Sequence, residues 1–303
     1  MMLSHPFSIY LCRFFDKVFL ISKHIDDMYV KKGPIGVFDS GYGGLTILEN
    51  FRRILPSYDY LYLGDNARAP YGNRSFELVY EFTRQAVIFL YEQGCSLVIL
   101  ACNTASAKAL RTIQQIDLPK IDPELRVLGV LRPTVEALGS LTVSRHVGLV
   151  GTPGTIISGS YPIEIHKLYP DITITAEACQ MWVPLVENGE HESEGAAFFI
   201  KKNLNNLFNQ DKEIDTIVLG CTHYPLLLPL IRKYVPRGVH IVSQGEYVAE
   251  SLKSYLKRHE DMAEHCTKDG TCTFLTTESE TKFEETAALF VKRTVKASHI
   301  RLI

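Results

Sequence analysis

The sequence predicts an α/β fold: two pseudo-symmetric domains with mostly parallel sheets and an active-site cleft between them. Three observations lead there. From Pro34 onward, short apolar runs alternate with longer amphipathic stretches, the pattern of strands crossing over through helices. The apolar runs end in turns marked by Gly or Asn. One such turn occurs twice, because "SLVILACNT" and "DTIVLGCTH" each place a buried-type strand before a small residue, a cysteine and a hydroxyl or amide residue. The two cysteines, Cys102 and Cys221, stand 119 positions apart, about the length of one small α/β unit. Ligands of such sheets bind at the carboxyl ends of strands, so two facing halves would bring these turns together.

The elements follow in order. "IGVFDSGYGGLTILENFRRIL" reads as strand, glycine turn and helix, and "YDYLYLGDNARAPYGNRS" as a second strand with a long polar loop. "FELVYEFTRQAVIFLYEQG" has helical spacing and stops at Gly94, and "SLVILACNTASAKALRTI" is again strand into helix. Further strand or strand-to-helix runs are "RVLGVLRPTVEAL", "HVGLVGTPGTII", "ITITAEAC", "DTIVLGCTHYPLLLPLIRKY" and "VHIVSQ". "TTESETKFEETAALFVKR" reads as a polar turn and a terminal amphipathic helix. Residues 1–32 are expected to be a non-core N-terminal extension, with Met28 an alternative start just before the first strand. Arg13, Asp16 and Lys17 break its apolar character well short of the roughly 18 uncharged residues of a membrane span.

Composition narrows the function. A chain that is 46% hydrophobic can bury a core, and a formal net charge of −2 supplies no basic field for nucleic acid or membrane. The expected partner is a small molecule. Seven cysteines without a closely spaced framework, apart from "CTKDGTC", read as free thiols in a reducing, cytoplasmic setting.

A lone cysteine at a strand end is usually a small buried hydrophobe. Its repetition beside polar neighbours favours chemistry here. Where a strand becomes a helix, free backbone N–H groups bind a carboxylate and lower a thiol pKa. Asn103 and Thr104, and Thr222 and His223, add side-chain donors at the two turns. His223, two residues from Cys221, is able to take the thiol proton or hold a thiolate by charge, or else simply to cap a loop. A zinc reading of this pair lacks further ligands, and no metal site is expected.

Gly41, Gly43 and Gly44 follow a strand but fail the dinucleotide spacing, and Asp39 before them would repel a pyrophosphate. The glycines read as a tight turn with positive φ, which leaves Asp39 and Ser40 for an ammonium group and for hydrogen bonding. In the polar loop, Tyr71 and Gly72 offer an O–H and an N–H to a carboxylate if the loop borders the cleft, although a plain surface loop explains it equally well. Thr152 is an anion ligand or a helix cap, and Glu187 a cleft carboxylate or a solvent-facing helix end.

Together, "GVFDSGYGGLTIL", "YLGDNARAPYG", "ACNTASA", "EACQMWVPLVENG" and "VLGCTHYPLLLPLI" resemble glutamate racemase, in order, from about Pro34 to the C-terminal helix. The resemblance implies a cofactor-independent, two-base racemase that supplies D-glutamate for peptidoglycan. By similarity Cys102 and Cys221 are the bases, Asp39 assists on the Cys102 side, His223 assists on the Cys221 side, and Glu187 is a further acid near that histidine. Substrate contacts then fall on Asp39, Ser40, Tyr71, Gly72, Asn103, Thr104, Thr152, Thr222 and His223. The implied domains are 33–127 plus 239–303, and 128–238, with self-association as a dimer. Racemisation of aspartate or diaminopimelate is the nearest alternative. A Cys-His hydrolase is a more distant one, because it leaves Cys102 unexplained.

Overall fold

The computed structural model describes residues 32–302, so the expectation for residues 1–32 lies outside the described residues except at Lys32. Among the described residues ten strands form two sheets, and every pairing between these strands is parallel. The first sheet contains β1 (Ile35–Asp39), β2 (Tyr60–Gly64), β3 (Leu97–Leu100) and β4 (Arg126–Gly129). The second contains β5 (His146–Gly151), β6 (Thr173–Ala178), β7 (Thr216–Gly220) and β8 (His240–Val242). The chain then returns to the first sheet with β9 (Cys272–Thr276) and β10 (Ala297–His299). Strand order is β10-β9-β2-β1-β3-β4 in one sheet and β6-β5-β7-β8 in the other.

The apolar runs in β1, β2 and β3 are unbroken because both faces of this sheet are covered. Side chains alternate along each strand. Ile35, Val37, Tyr60, Tyr62, Leu97 and Ile99 join one apolar cluster, whereas Phe38, Leu61, Leu63, Val98 and Leu100 join the cluster on the other face. Ser75 starts the helix Phe76–Glu92 by accepting the Leu78 N–H, and Gly94, at φ +91°, ends it in the left-handed region. The first cluster runs on into the second lobe through Val147, Leu149, Ile217 and Leu219. The helix Gln244–Arg258 packs on Leu45–Ile54 and on Leu131–Leu141, which ties the two sheets into one body.

Several expectations need correction. The break expected at 127/128 cuts through β4, which pairs in full with β3. The return expected at 239 assigns β8 to the first domain, yet Thr216↔His240, Ile217↔Ile241 and Val218↔Val242 put that strand on the edge of the second sheet. β9 and β10 extend the first sheet and were not anticipated. Among the described residues the six cysteines are all free, and no helix is long and apolar enough to cross a membrane.

Candidate active site

β3 delivers Cys102. The strand ends at Leu100, and after Ala101 the cysteine takes the cap position of the helix Asn103–Lys108, where its Sγ accepts the Ala105 N–H at 3.4 Å. The small residues Ala101, Ala105 and Ala109 are fully buried and let this turn pack tightly beneath the thiol. Ser40 Oγ lies 3.3 Å from the sulfur. Burial, reinforced by the charge of Asp39, pushes the thiol up to about 12, and the hydrogen bonds from Ser40 and Ala105 only partly offset this. The expected lowering by helix N–H groups is therefore reversed at Cys102. A six-residue helix offers one N–H to the sulfur, which is too little against desolvation.

β7 delivers Cys221 directly after Gly220, but there the expected helix start is absent: a turn intervenes, and His223, not the cysteine, precedes the short 3-10 helix Tyr224–Leu227. The Cys221 Sγ is 3.8 Å from Nδ1 of His223, and Nε2 of the same ring is 3.0 Å from Glu187 Oε1. Burial alone would lower the imidazole, but its hydrogen bonds to Cys221 and Glu187 outweigh burial and push His223 up to about 10. The ring also packs edge-on against Phe290 at 5.5 Å, so the C-terminal helix Glu280–Val291 backs the histidine. Glu187 ends the helix Trp182–Glu187 and reaches inward to this ring, not out to solvent.

Asp39 closes β1 and is 1% exposed. One carboxylate oxygen accepts the Gly41 N–H at 2.8 Å, and the other, Oδ2, is buried with no hydrogen-bond partner. Burial raises its pKa against the lowering effect of His223. Asp39 is absent from the cavity wall, which Ser40 lines in front of it. The turn glycines also differ from expectation, since none of Gly41, Gly43 and Gly44 has positive φ. Close approach explains them instead. A methyl group on Gly43 would overlap Thr222 Oγ1 and His223 Nδ1, and one on Gly44 would press on the Asp39 side chain.

The remaining expected ligands divide. Ser40, Tyr71, Gly72, Asn103, Thr104, Thr152, Thr222 and His223 line one cavity together with Cys102, Cys221 and Glu187. Its empty volume is about 540 Å³, open mouth included. The Tyr71 hydroxyl, however, donates to Asp65, so the expected O–H contact is replaced by a structural bond. Asn103 is tied through its amide to Gln244 and Tyr161. Thr104, Thr152 and Thr155 form a triangle of hydroxyls 3.0–3.2 Å apart, and Thr152 also caps the helix Pro153–Ile157. Gln180, Val183 and Asn73 line the same wall and were not singled out from the sequence, although all three lie in quoted segments of it. Among the described residues, no group of three or more His, Cys, Asp or Glu side chains is arranged to hold a metal.

A two-lobed parallel α/β fold whose strand ends present paired thiols to one cavity defines the class. Residues 45–252 match the family model described as Asp/Glu/Hydantoin racemase. The chain belongs to that family. It is 37% identical to a glutamate racemase of a Ruegeria species, over 86% of this chain and 97% of that one. It is 38% identical to the glutamate racemase of Shouchella clausii, over 84% of this chain and 89% of that one. Among solved structures it is similar to a glutamate racemase isoform from Bacillus anthracis (TM-score 0.81, 34% identity, 90% of this chain and 98% of that one). It is also similar to the Francisella tularensis glutamate racemase in complex with D-glutamate (TM-score 0.79, 33% identity, 89% and 98%).

Proposed function

We propose that this protein interconverts L-glutamate and D-glutamate by a two-base mechanism, with Cys102 and Cys221 on opposite sides of the substrate α-carbon. One observation carries the reading: two buried thiols, each at the carboxyl end of a central strand in a different sheet, line the same cavity. The α-proton of an amino acid is weakly acidic, so the site must supply placement and charge stabilisation. One sulfur removes the α-proton, the other delivers a proton to the opposite face, and the roles exchange for the reverse reaction.

The two sides differ in resting character. At neutral pH His223 is an imidazolium, held by Glu187, and gives the Cys221 sulfur a cationic neighbour. Cys102 rests as the thiol, because burial and Asp39 disfavour its charge. Asp39 acts on Cys102 through charge from behind the wall, and Ser40 through its 3.3 Å contact. Asn103, Thr104, Thr152, Thr222 and the Gly72 backbone supply the polar surface for the substrate's carboxylates. The product would serve peptidoglycan synthesis in the cytoplasm, and the protein would self-associate as a dimer.

Circular dichroism of each glutamate enantiomer, with no cofactor added, tests this reading. Decay of both signals to zero, abolished in Cys102→Ser and in Cys221→Ser, is expected. No decay with folded, reduced protein would remove glutamate as substrate and direct the assay to aspartate and diaminopimelate.

A further inference from the structure

We infer that Gln244 is a positioning residue for the site, fixing the face that the Asn103 amide presents to the cavity. The inference rests on the proposed function, since it concerns how that cavity is organised. Gln244 opens the helix Gln244–Arg258 directly after β8 and is 3% exposed. Asn103, immediately after Cys102, is 2% exposed and lines the cavity.

The donors and acceptors around the two amides form a closed, directional set. Asn103 Nδ2 donates to Gln244 Oε1 at 2.6 Å, and the Tyr161 hydroxyl donates to Asn103 Oδ1 at 2.8 Å. Gln244 Nε2 donates to Thr134 Oγ1 at 2.9 Å and to the Tyr161 oxygen at 2.5 Å, and at 3.2 Å to Asn103 Oδ1, which thus accepts from both Tyr161 and Gln244. Thr134 in turn donates to the Val130 carbonyl at 2.8 Å. Every hydroxyl proton is thus assigned, and reversing the Asn103 amide would set N–H against the Tyr161 donor and oxygen against Gln244 Oε1. The Asn103 carboxamide therefore keeps its oxygen toward the interior and has one N–H left to offer. A single donor of fixed direction beside Cys102 suits a carboxylate oxygen of the substrate.

Gln244 also lines a second cavity together with Cys221 and Thr222, so one side chain adjoins both thiol turns. Thr134 and Tyr161 lie on helices that follow β4 and β5, whereas Asn103 follows β3. The network thereby joins the turn carrying Cys102 to the second lobe.

The test is Gln244→Met, of similar length and without hydrogen-bonding capacity, in the full chain. Loss of one oriented hydrogen bond to a carboxylate raises KM for glutamate about ten- to 100-fold with kcat within about two-fold. Asn103→Ala should raise KM comparably, and the double variant should be no worse than Asn103→Ala alone, because Gln244 acts through Asn103. Thr134→Val, which leaves the Asn103–Gln244 pair intact, should keep the wild-type KM. A wild-type KM in Gln244→Met, multiplicative effects in the double variant, or a KM rise in Thr134→Val equal to that in Gln244→Met would overturn the assignment. Should Gln244→Met fail to fold, Gln244→Leu decides, since it too removes the acceptor for Asn103 Nδ2 and one donor to Asn103 Oδ1 and must raise KM. If wild-type protein leaves glutamate unchanged, the proposed function fails by itself. The Asn103 side-chain amide resonances then still report on this inference, which predicts their displacement in Gln244→Met and is overturned if they do not move.

Discussion

Glu187 and His223, 36 positions apart in the chain, meet at 3.0 Å between Oε1 and Nε2. The second ring nitrogen faces Cys221, so the carboxylate helps hold both protons on the ring. Glu187→Gln preserves the shape and removes the charge. The His223 pKa should fall from about 10 toward the ordinary histidine range, read by NMR titration of labelled histidine. Racemase activity should drop about 10- to 100-fold at neutral pH, in the range of lost acid-base assistance. An unchanged His223 titration would show that the contact does not hold the proton.

His223, held by Cys221 and Glu187, makes a pH-dependent contribution to stability, and its sign follows from the direction of the shift. The folded pKa of His223 is raised to about 10 from a reference of 6.5. Its contribution is therefore fully present below pH 6.5 and is lost as pH rises through 10. Wild-type protein should melt above Glu187→Gln at pH 6, and the gap should close toward pH 10. A gap that widened with alkalinity would contradict the assignment of an imidazolium.

Much of this organisation is legible in the sequence, for identifiable reasons. β1, β3 and β7 stand out because sheets covered on both faces need uninterrupted apolar runs, and the thiol turns stand out because the pattern repeats. β10 escapes notice as a three-residue edge strand, "ASH", and β9 because "CTFLT" is short and threonine-rich. The sheet to which β8 belongs is a matter of long-range pairing that its three residues do not encode locally. Within the site, the direction of the Tyr71 hydroxyl and the role of Gln244 depend on partners distant in sequence. Asp65 sits within the polar loop and Gln244 ends the apolar run "VHIVSQ", and nothing next to either in the sequence marks its partner. The thiol at Cys102 shows the limit of local reasoning most clearly, because its helix-cap position is visible in the sequence and its desolvation is not.

Gly43 offers a test of how closely the two lobes must meet. Its Cα hydrogen faces Thr222 and His223 across the gap between the lobes, and an added methyl would overlap both side chains. Gly43→Ala should displace the imidazole from Cys221 and cost about 1–3 kcal/mol of stability, the usual range for overpacking. Activity should fall well beyond what the stability loss explains at a temperature where the variant is folded. Gly195→Ala is the control, since its added methyl meets only Ser193 Oγ at 3.5 Å. Equal activity in the two variants would show that the turn can retreat without disturbing the site.

Tyr71 separates a structural hydroxyl from a substrate-binding one. The residue is 1% exposed, and its O–H donates to Asp65, which also accepts from Arg68 Nε at 2.7 Å and from Thr277 Oγ1 at 2.9 Å. These bonds strap the loop that carries Gly72 and Asn73, both on the cavity wall, to the segment following β9. Burial raises the phenol pKa far above its ordinary value, and the Asp65 carboxylate adds to this, so the group donates and does not ionise. Tyr71→Phe should therefore lower stability by about 1–2 kcal/mol, the cost of leaving a buried charged acceptor one donor short. KM for glutamate should move only slightly, because the ring and the backbone of the loop still form the wall. The opposite pattern, a large rise in KM with an unchanged melting temperature, would mean that the hydroxyl turns from Asp65 to the substrate when the cavity is filled.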